Sequence, residues 1–347
     1  MNPTLFGTLD DTPVYEITLR SAAGAEAKVI TWGAVVRDLQ VPRPGGGLQR
    51  VVLGSNSLDD YWQHSPHFGA IAGRYANRIA GGRFSVDERA YQLPLNQDGK
   101  HSLHGGGQGF GKRPWQLAAA TESSVTLTLV SPDGDHGYPG DLTVTCTYRL
   151  LEPATLRVEL SATTTDATPV NLCHHSYFKL DGAADILDHR LDIAADFWTP
   201  VDADLIPTGE VRAVAGTPFD FRAPRAIGHA GTDGTRTWYD HNWVLRRERV
   251  ETPGRPRPLA YAAGLTSSRS GLRLEVWTTE PGLQFYDGFK INLPVPGLDG
   301  APYGANAGLC LEPQHFPDSP NRPHFPSTIL RPGEVYRQVT EYRFGPA

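Results

Sequence analysis

Apolar and polar residues alternate with a period of two along most of the chain. Val125, Leu127 and Leu129 alternate with Thr126 and Thr128, and Leu142, Val144, Cys146 and Tyr148 alternate with Thr143, Thr145, Thr147 and Arg149. The same rhythm runs through Leu156–Ser161 and Leu272–Val276. Successive side chains of a strand point to opposite faces, so the pattern predicts strands with one buried and one wetter face. Asp133-Gly134, Pro139-Gly140, Pro281-Gly282 and Pro332-Gly333 supply turn signals between the strands. No long stretch carries a helical period, and only short helical turns are expected, near Ser57–Trp62. Many antiparallel strands in packed sheets make the expected fold all-β, a large antiparallel β-sandwich. A propeller would need a repeat of roughly 40–50 residues, and the sequence has none.

Composition narrows the class. The 347 residues are enough for a large core, and no linker-like tract divides them, so a single domain over residues 1–347 is expected. Arg43–Leu48 and Arg246–Pro258 look like hairpin loops between apolar runs. A net charge of -6 argues against a nucleic-acid partner. No apolar run reaches the ~18 residues of a membrane helix, and the first residues lack the pattern of a signal peptide. The three cysteines, Cys146, Cys173 and Cys310, are odd in number and far apart, and form neither a disulfide framework nor a CxxC metal pattern. The expectation is a soluble cytoplasmic protein, monomer or homodimer, with no membrane partner.

Several motifs carry candidate chemistry. His104 with Gly105, Gly106 and Gly107 is similar to an esterase oxyanion loop, but no Gly-x-Ser-x-Gly elbow accompanies it. The glycines are either a flexible turn or a place where a ligand approaches the backbone. Among the 12 histidines there is no His-Glu-x-x-His, and His174 and His175 would point to opposite faces of a strand. Read as one strand, Val170–Leu180 puts Cys173, His175 and Tyr177 on one face, and His174 and Ser176 on the other. In Gly308–Gln314, Cys310, Glu312 and Gln314 share a face. A carboxylate in so apolar a strand needs either hydrogen-bond partners or a task, and His175 is open to the same two readings. Arg74, Asn77 and Arg78 punctuate the apolar stretch Gly69–Gly82, and Asp240 lies among aromatic residues in Trp238–Leu245. Arginine forks, carboxylates and amides beside aromatic rings are the vocabulary of a polyhydroxylated ligand, and equally of strand ends and buried structural cations.

Six stretches in order, GRYANRIAGGRFSVD, YQLPLNQDGKHSLHGG, HSYFKLDG, YDHNWVL, TTEPGLQFY and LCLEPQHFPDSPN, resemble the aldose 1-epimerase (galactose mutarotase) family. They lie between residues 69 and 321, and the likeness covers nearly the whole chain. The resemblance implies a galactose-mutarotase-like supersandwich with a sugar cleft, and interconversion of the α and β anomers of a free aldose such as D-galactose or D-glucose. It implies His175 as general acid, Glu312 as general base, and Asn77, Arg78, His104, Asp240 and Gln284 as sugar-binding residues. It calls for no metal and no other cofactor.

The chemistry makes sense on its own grounds. Removing the C1 hydroxyl proton while protonating the ring oxygen opens the pyranose, and rotation about C1–C2 presents the other carbonyl face. This asks for an acid and a base on opposite sides of the anomeric centre, a coupled pair with a bell-shaped pH profile. Cys173 and Cys310 each share a face with their catalytic neighbour, either as buried small hydrophobes or as thiols near the cleft floor. His174, Lys179 and Pro313 depart from residues common in the family, and so do Lys100 and His101 ahead of SLHGG. His174 is expected to face away from Glu312, and Lys100 with His101 to alter the cleft rim. Two rivals remain: an epimerase of hexose 6-phosphates, with Arg74 as candidate phosphate ligand, and a sugar-binding module without turnover.

Overall fold

A computed structural model describes residues 3–231, 234–246 and 258–347. Its largest element is a nine-stranded antiparallel sheet. In spatial order the strands are Gln116–Ala120, Ser124–Ser131, Leu142–Leu151, Thr155–Thr164, Tyr336–Pro346, Leu272–Thr278, Ala260–Ser267, Arg190–Ile193 and Arg225–Ala226. The period-2 segments all lie here. Leu142, Val144, Cys146, Tyr148 and Leu150 are buried, while Thr143 and Arg149 stay exposed. Beside it stands a six-stranded sheet in the order Tyr177–Phe178, Leu309–Gln314, Gly282–Tyr286, Asp240–Leu245, Ala195–Thr199 and Arg212–Ala213. A third sheet of five strands is built from residues 4–50 in simple chain order.

The two larger sheets share one core. Trp243, Leu283, Phe285, Leu309 and Leu311 from the smaller sheet join Val144, Tyr148, Leu156, Val158, Val276 and Tyr342 from the larger. Tyr342 also donates its hydroxyl to the carbonyl of Leu311 at 3.1 Å. This is the expected sandwich. The one α-helix among the described residues, Leu58–Gln63, is the short helical piece the sequence suggested. Its start is fixed by a capping box, in which Ser57 and Asp60 each accept from the other's backbone N–H. No described helix is long and apolar enough to cross a membrane.

Two expectations need correction. Arg43–Leu48 does close a hairpin, between Val35–Pro42 and Leu48–Arg50. The strands flanking Arg246–Pro258, however, belong to different sheets, Asp240–Leu245 to the six-stranded and Ala260–Ser267 to the nine-stranded one. That connection therefore passes between sheets, a distinction that periodicity cannot make, since both strands read alike; residues 247–257 themselves lie outside the described residues. Val170–Leu180 is not one strand. Cys173–His174 pairs with Ile71–Ala72, and Tyr177–Phe178 pairs with Leu309–Cys310, so the chain changes partner at His175 and Ser176. The alternation of faces survives the break.

Candidate active site

The face of the six-stranded sheet that points away from the core carries polar side chains in two cross-strand rows. Asn242, Gln284 and Glu312 stand directly opposite one another on three neighbouring strands. Two residues along, Asp240, Tyr286, Cys310 and Tyr177 form the second row on four strands. Residues opposite in an antiparallel ladder share a face, so register alone gathers segments distant in sequence. The Gly69–Gly82 stretch and the loop after Ser102–Leu103 complete the walls with Asn77, Arg78 and His104. With Glu312, Asp240, Tyr286 and Tyr177 of the rows they bound a cleft of about 240 Å³. That is below the roughly 300 Å³ at which pockets for drug-sized ligands begin, and suits one small polar molecule.

At the cleft wall, His175 Nε2 lies 3.4 Å from Glu312 Oε2. The Cys173 thiol donates to the same oxygen at 3.4 Å, and Cys310 Sγ lies 3.5 Å from His175 Nδ1. Both contacts to Glu312 fall on Oε2. Burial pushes the Glu312 carboxyl up to about 8, helped by the charge of Asp240, and pushes the His175 imidazole down to about 4. Across the neutral range the empty pair therefore carries one titratable proton, on Glu312, beside a neutral His175. Asp240 behaves differently. Burial raises it, but the Arg78 charge and the Gln284 hydrogen bond outweigh burial and keep it below the usual carboxylate range. Gln284 Nε2 donates to Asp240 Oδ1 at 2.7 Å, and Arg78 Nη2 donates to Oδ2 at 3.2 Å. Arg78 also donates to Gln97 Oε1 at 2.9 Å and to Asn77 Oδ1 at 3.4 Å.

A sequence profile of the aldose 1-epimerase family matches residues 15–343. The chain belongs to the aldose 1-epimerase family. It is 42% identical to galactose mutarotase of Mus musculus, over 99% of this chain and 98% of the mouse protein. It is 39% identical to aldose 1-epimerase of Escherichia coli K12, over 96% of each. Among solved structures, an aldose epimerase homologue from C. elegans superposes with a TM-score of 0.88 at 30% identity, covering 96% of this chain and 99% of that one. Galactose 1-epimerase from Lactobacillus acidophilus gives 0.81 at 28% identity, covering 100% of this chain and 98% of that one. The protein is an isomerase, an aldose 1-epimerase acting on an aldose sugar.

Within the epimerase, six of the seven residues singled out from the sequence line the cleft: Asn77, Arg78, His104, His175, Asp240 and Glu312. The seventh, Gln284, stands behind Asp240 and holds its carboxylate. His175 and Glu312 stand side by side at 3.4 Å. O1 and O5 are both bonded to C1, so two neighbouring groups can serve both.

His104 is held in a defined tautomer. Its Nδ1 accepts the backbone N–H of Asn77 at 3.1 Å, and the Asn77 carbonyl accepts the His104 N–H at 3.1 Å. Burial holds the imidazole well below its usual range, so it is neutral and its proton sits on Nε2. None of the three glycines after it lines the cleft. A Cβ at Gly105 would lie 1.9 Å from the Gly73 carbonyl and one at Gly106 2.7 Å from His136 Nδ1, whereas Gly107 has open space around it.

Arg74, the candidate phosphate ligand, is not on the cleft. It is 1% exposed and donates to the carbonyls of Ser131, Pro139 and Gly140 and to the Ser131 hydroxyl. Sequence alone could not separate it from Arg78 four residues later, because both lie in the same apolar, glycine-punctuated stretch. His174 faces the core as expected, with Nδ1 3.3 Å from the Tyr148 hydroxyl and its ring against Tyr342. Lys179 donates to the Ala183 carbonyl. Lys100 is tied to Asp204 at 2.8 Å, and His101 Nδ1 accepts from Gly81; neither lines the cleft. The rim is formed instead by Gln97 and Asp98 of the same turn, which sequence reading passed over.

His67 and Lys290 were also missed, and both lie on loops where no period marks a face. The His67 ring sits 4.7 Å from that of His104 and 5.8 Å from that of His175. A separate cavity of about 210 Å³ beside Trp32 and Trp62 brings together none of the family motifs.

Proposed function

We propose that the cleft opens and recloses the pyranose ring of a free aldose, D-galactose and D-glucose among them, with Glu312 as general base and His175 as general acid. The observation that carries this is the Glu312–His175 pair at the wall of a cleft whose other groups bind hydroxyls. Arg78 and the Asn77 amide offer donors, Asp240 an ionised acceptor, and His104 a neutral Nε2–H. Gln284 fixes Asp240 from behind.

On binding, the sugar places its C1 hydroxyl against Glu312 and its ring oxygen against His175, and the pair's proton passes from Glu312 to His175 across their 3.4 Å contact, which leaves Glu312 ionised and His175 cationic. Glu312 takes the hydroxyl proton as His175 gives its proton to O5. The C1–O5 bond breaks, leaving an aldehyde at C1 and a hydroxyl on the former ring oxygen. After rotation about C1–C2, His175 removes the O5 proton, O5 attacks the other carbonyl face, and Glu312 returns its proton to O1. The single proton shared by the pair suffices for both directions. Positioned acid and base groups each contribute about 10²–10⁴-fold.

The test is polarimetry of freshly dissolved α-D-galactose. Wild type should bring the rotation to equilibrium far faster than buffer, and Glu312→Gln should lose at least about 10²-fold of that rate. No acceleration with galactose, glucose, xylose or arabinose would overturn the reading. Retention of full activity in Glu312→Gln would overturn the assignment of the base.

A further inference from the structure

We propose that Cys310, His175 and Glu312 form a binding site for a thiophilic divalent cation such as zinc, and that this cation competes with the sugar for the acid–base pair. The effect on turnover rests on the roles given above to His175 and Glu312. The site itself rests on donor geometry.

The three donor atoms lie within 4.8 Å of one another, and all three residues are buried. Zinc bonds thiolate sulfur at about 2.3 Å and imidazole nitrogen or carboxylate oxygen at about 2.0 Å. A tetrahedral ion with those bonds keeps sulfur and nitrogen about 3.5 Å apart, and nitrogen and oxygen about 3.3 Å apart. Here Cys310 Sγ is 3.5 Å from His175 Nδ1, and His175 Nε2 is 3.4 Å from Glu312 Oε2. One ion takes only one of the two ring nitrogens, so the remaining donor must close by about 1 Å, within reach of a side-chain rotation. Strand pairing fixes two of the ligands, since Cys310 and Glu312 are two residues apart on one face of the same strand.

The surroundings favour a cation. Asp240 supplies a second carboxylate near Glu312, opposed by Arg78, whose guanidinium is already engaged by Asp240 at 3.2 Å. On binding, the Cys310 thiol proton and the proton carried by the Glu312–His175 pair both leave to solvent, and the thiolate, the carboxylate and a neutral imidazole nitrogen take the metal. Three protein ligands leave one position open, as in catalytic zinc sites, and here it would face the cleft where the sugar's hydroxyls arrive. Cys310 does not line the cleft, so it is not required for sugar to bind.

The experiment uses the full chain stripped with EDTA. Zinc chloride at about 100 µM or less should slow α-D-galactose mutarotation at least tenfold, raising KM with kcat unchanged, and EDTA should restore the rate. Cys310→Ala should keep its metal-free rate within about threefold and lose about tenfold or more of its zinc sensitivity. Cadmium chloride reads the site without turnover. A sulfur-to-cadmium ultraviolet band should appear in wild type, disappear in Cys310→Ala, and be suppressed by saturating galactose. Should Cys310→Ala not fold, suppression by galactose in wild type decides. Absence of inhibition at about 1 mM zinc, equal sensitivity in Cys310→Ala, or a band indifferent to galactose overturns the proposal. Metal-free wild type that fails to turn over any aldose would sink the proposed function instead, leaving the variant's cadmium spectrum to judge the metal site.

Discussion

Two glutamate–histidine pairs come near each other in the sequence at Glu312 and His315, and they are built differently. Glu280 meets His315 at 2.8 Å, whereas Glu312 meets His175 at 3.4 Å. Around the first pair, the His315 backbone N–H donates to Asn171 Oδ1 at 2.9 Å, and the Thr279 hydroxyl donates to Glu280 Oε1 at 3.4 Å. Neither residue lines the cleft. Around the second pair the neighbours are two thiols, which are weak donors, and both members face the cleft. Glu280 is bonded as a structural carboxylate is bonded. Glu312 is desolvated without full compensation, and that leaves bonding capacity for a ligand.

The sharpest way to break this contrast is to remove one histidine from each pair. His175→Asn should cost about 10²–10⁴-fold in kcat, while His315→Asn should stay within about threefold, both read by polarimetry. Equal losses would mean that the pairs are not different in kind.

Stability should move in opposite directions. Breaking a buried, well-bonded pair costs about 3–5 kcal/mol, so Glu280→Gln should lower the unfolding free energy by that order in a denaturant titration. Glu312→Gln should raise it. The folded carboxyl titrates near 8 against an ordinary 4.5, so the folded state holds its proton more tightly than the unfolded one. Wild-type stability therefore falls as pH rises from 4.5 to about 8, and glutamine removes that fall. The gain should be absent at pH 4 and reach on the order of a few kcal/mol at pH 8. A loss of stability at pH 8 would contradict it.

The smallest effect is the pH profile of the metal-free enzyme. The working form carries one proton on the Glu312–His175 pair. Below about 4 the pair gains a second proton on His175, and above about 8 it loses its last. kcat/KM should be broad between those limits and fall about tenfold per pH unit outside them. A profile that stays flat through pH 9 would separate the two groups.

Much of the strand content was legible because it depends on period-2 alternation, which also put Cys173 with His175 and Cys310 with Glu312; the acid and base roles came from the resemblance to the aldose 1-epimerase family. Cys173 and His175 keep a common side even where the strand is broken, since the chain stays extended while it changes partner. What stayed hidden depends on which strands meet. Gln284 and Glu312 face each other only because Gly282–Tyr286 and Leu309–Gln314 are neighbours in one register. Arg74 and Arg78 look alike in sequence, and only the fold sends one to the carbonyls of Ser131 and Pro139 and the other to Asp240. His67, Gln97 and Lys290 sit on turns, where the pattern assigns no face.

Pro313 gives the register a meaning beyond packing. It lies in the ladder opposite Leu283, and its carbonyl accepts from Gln338 rather than from the neighbouring strand. A strand residue presents its N and its carbonyl to the same side, so the proline's missing N–H is turned where no ladder bond is needed. A slip of one residue would turn that gap toward the partner strand, swing Leu311 into the cleft and drive Glu312 into the apolar core. Pro313 thus ties two requirements to one register: the slip that would cost the sheet a ladder bond is also the slip that would take Glu312 out of the cleft.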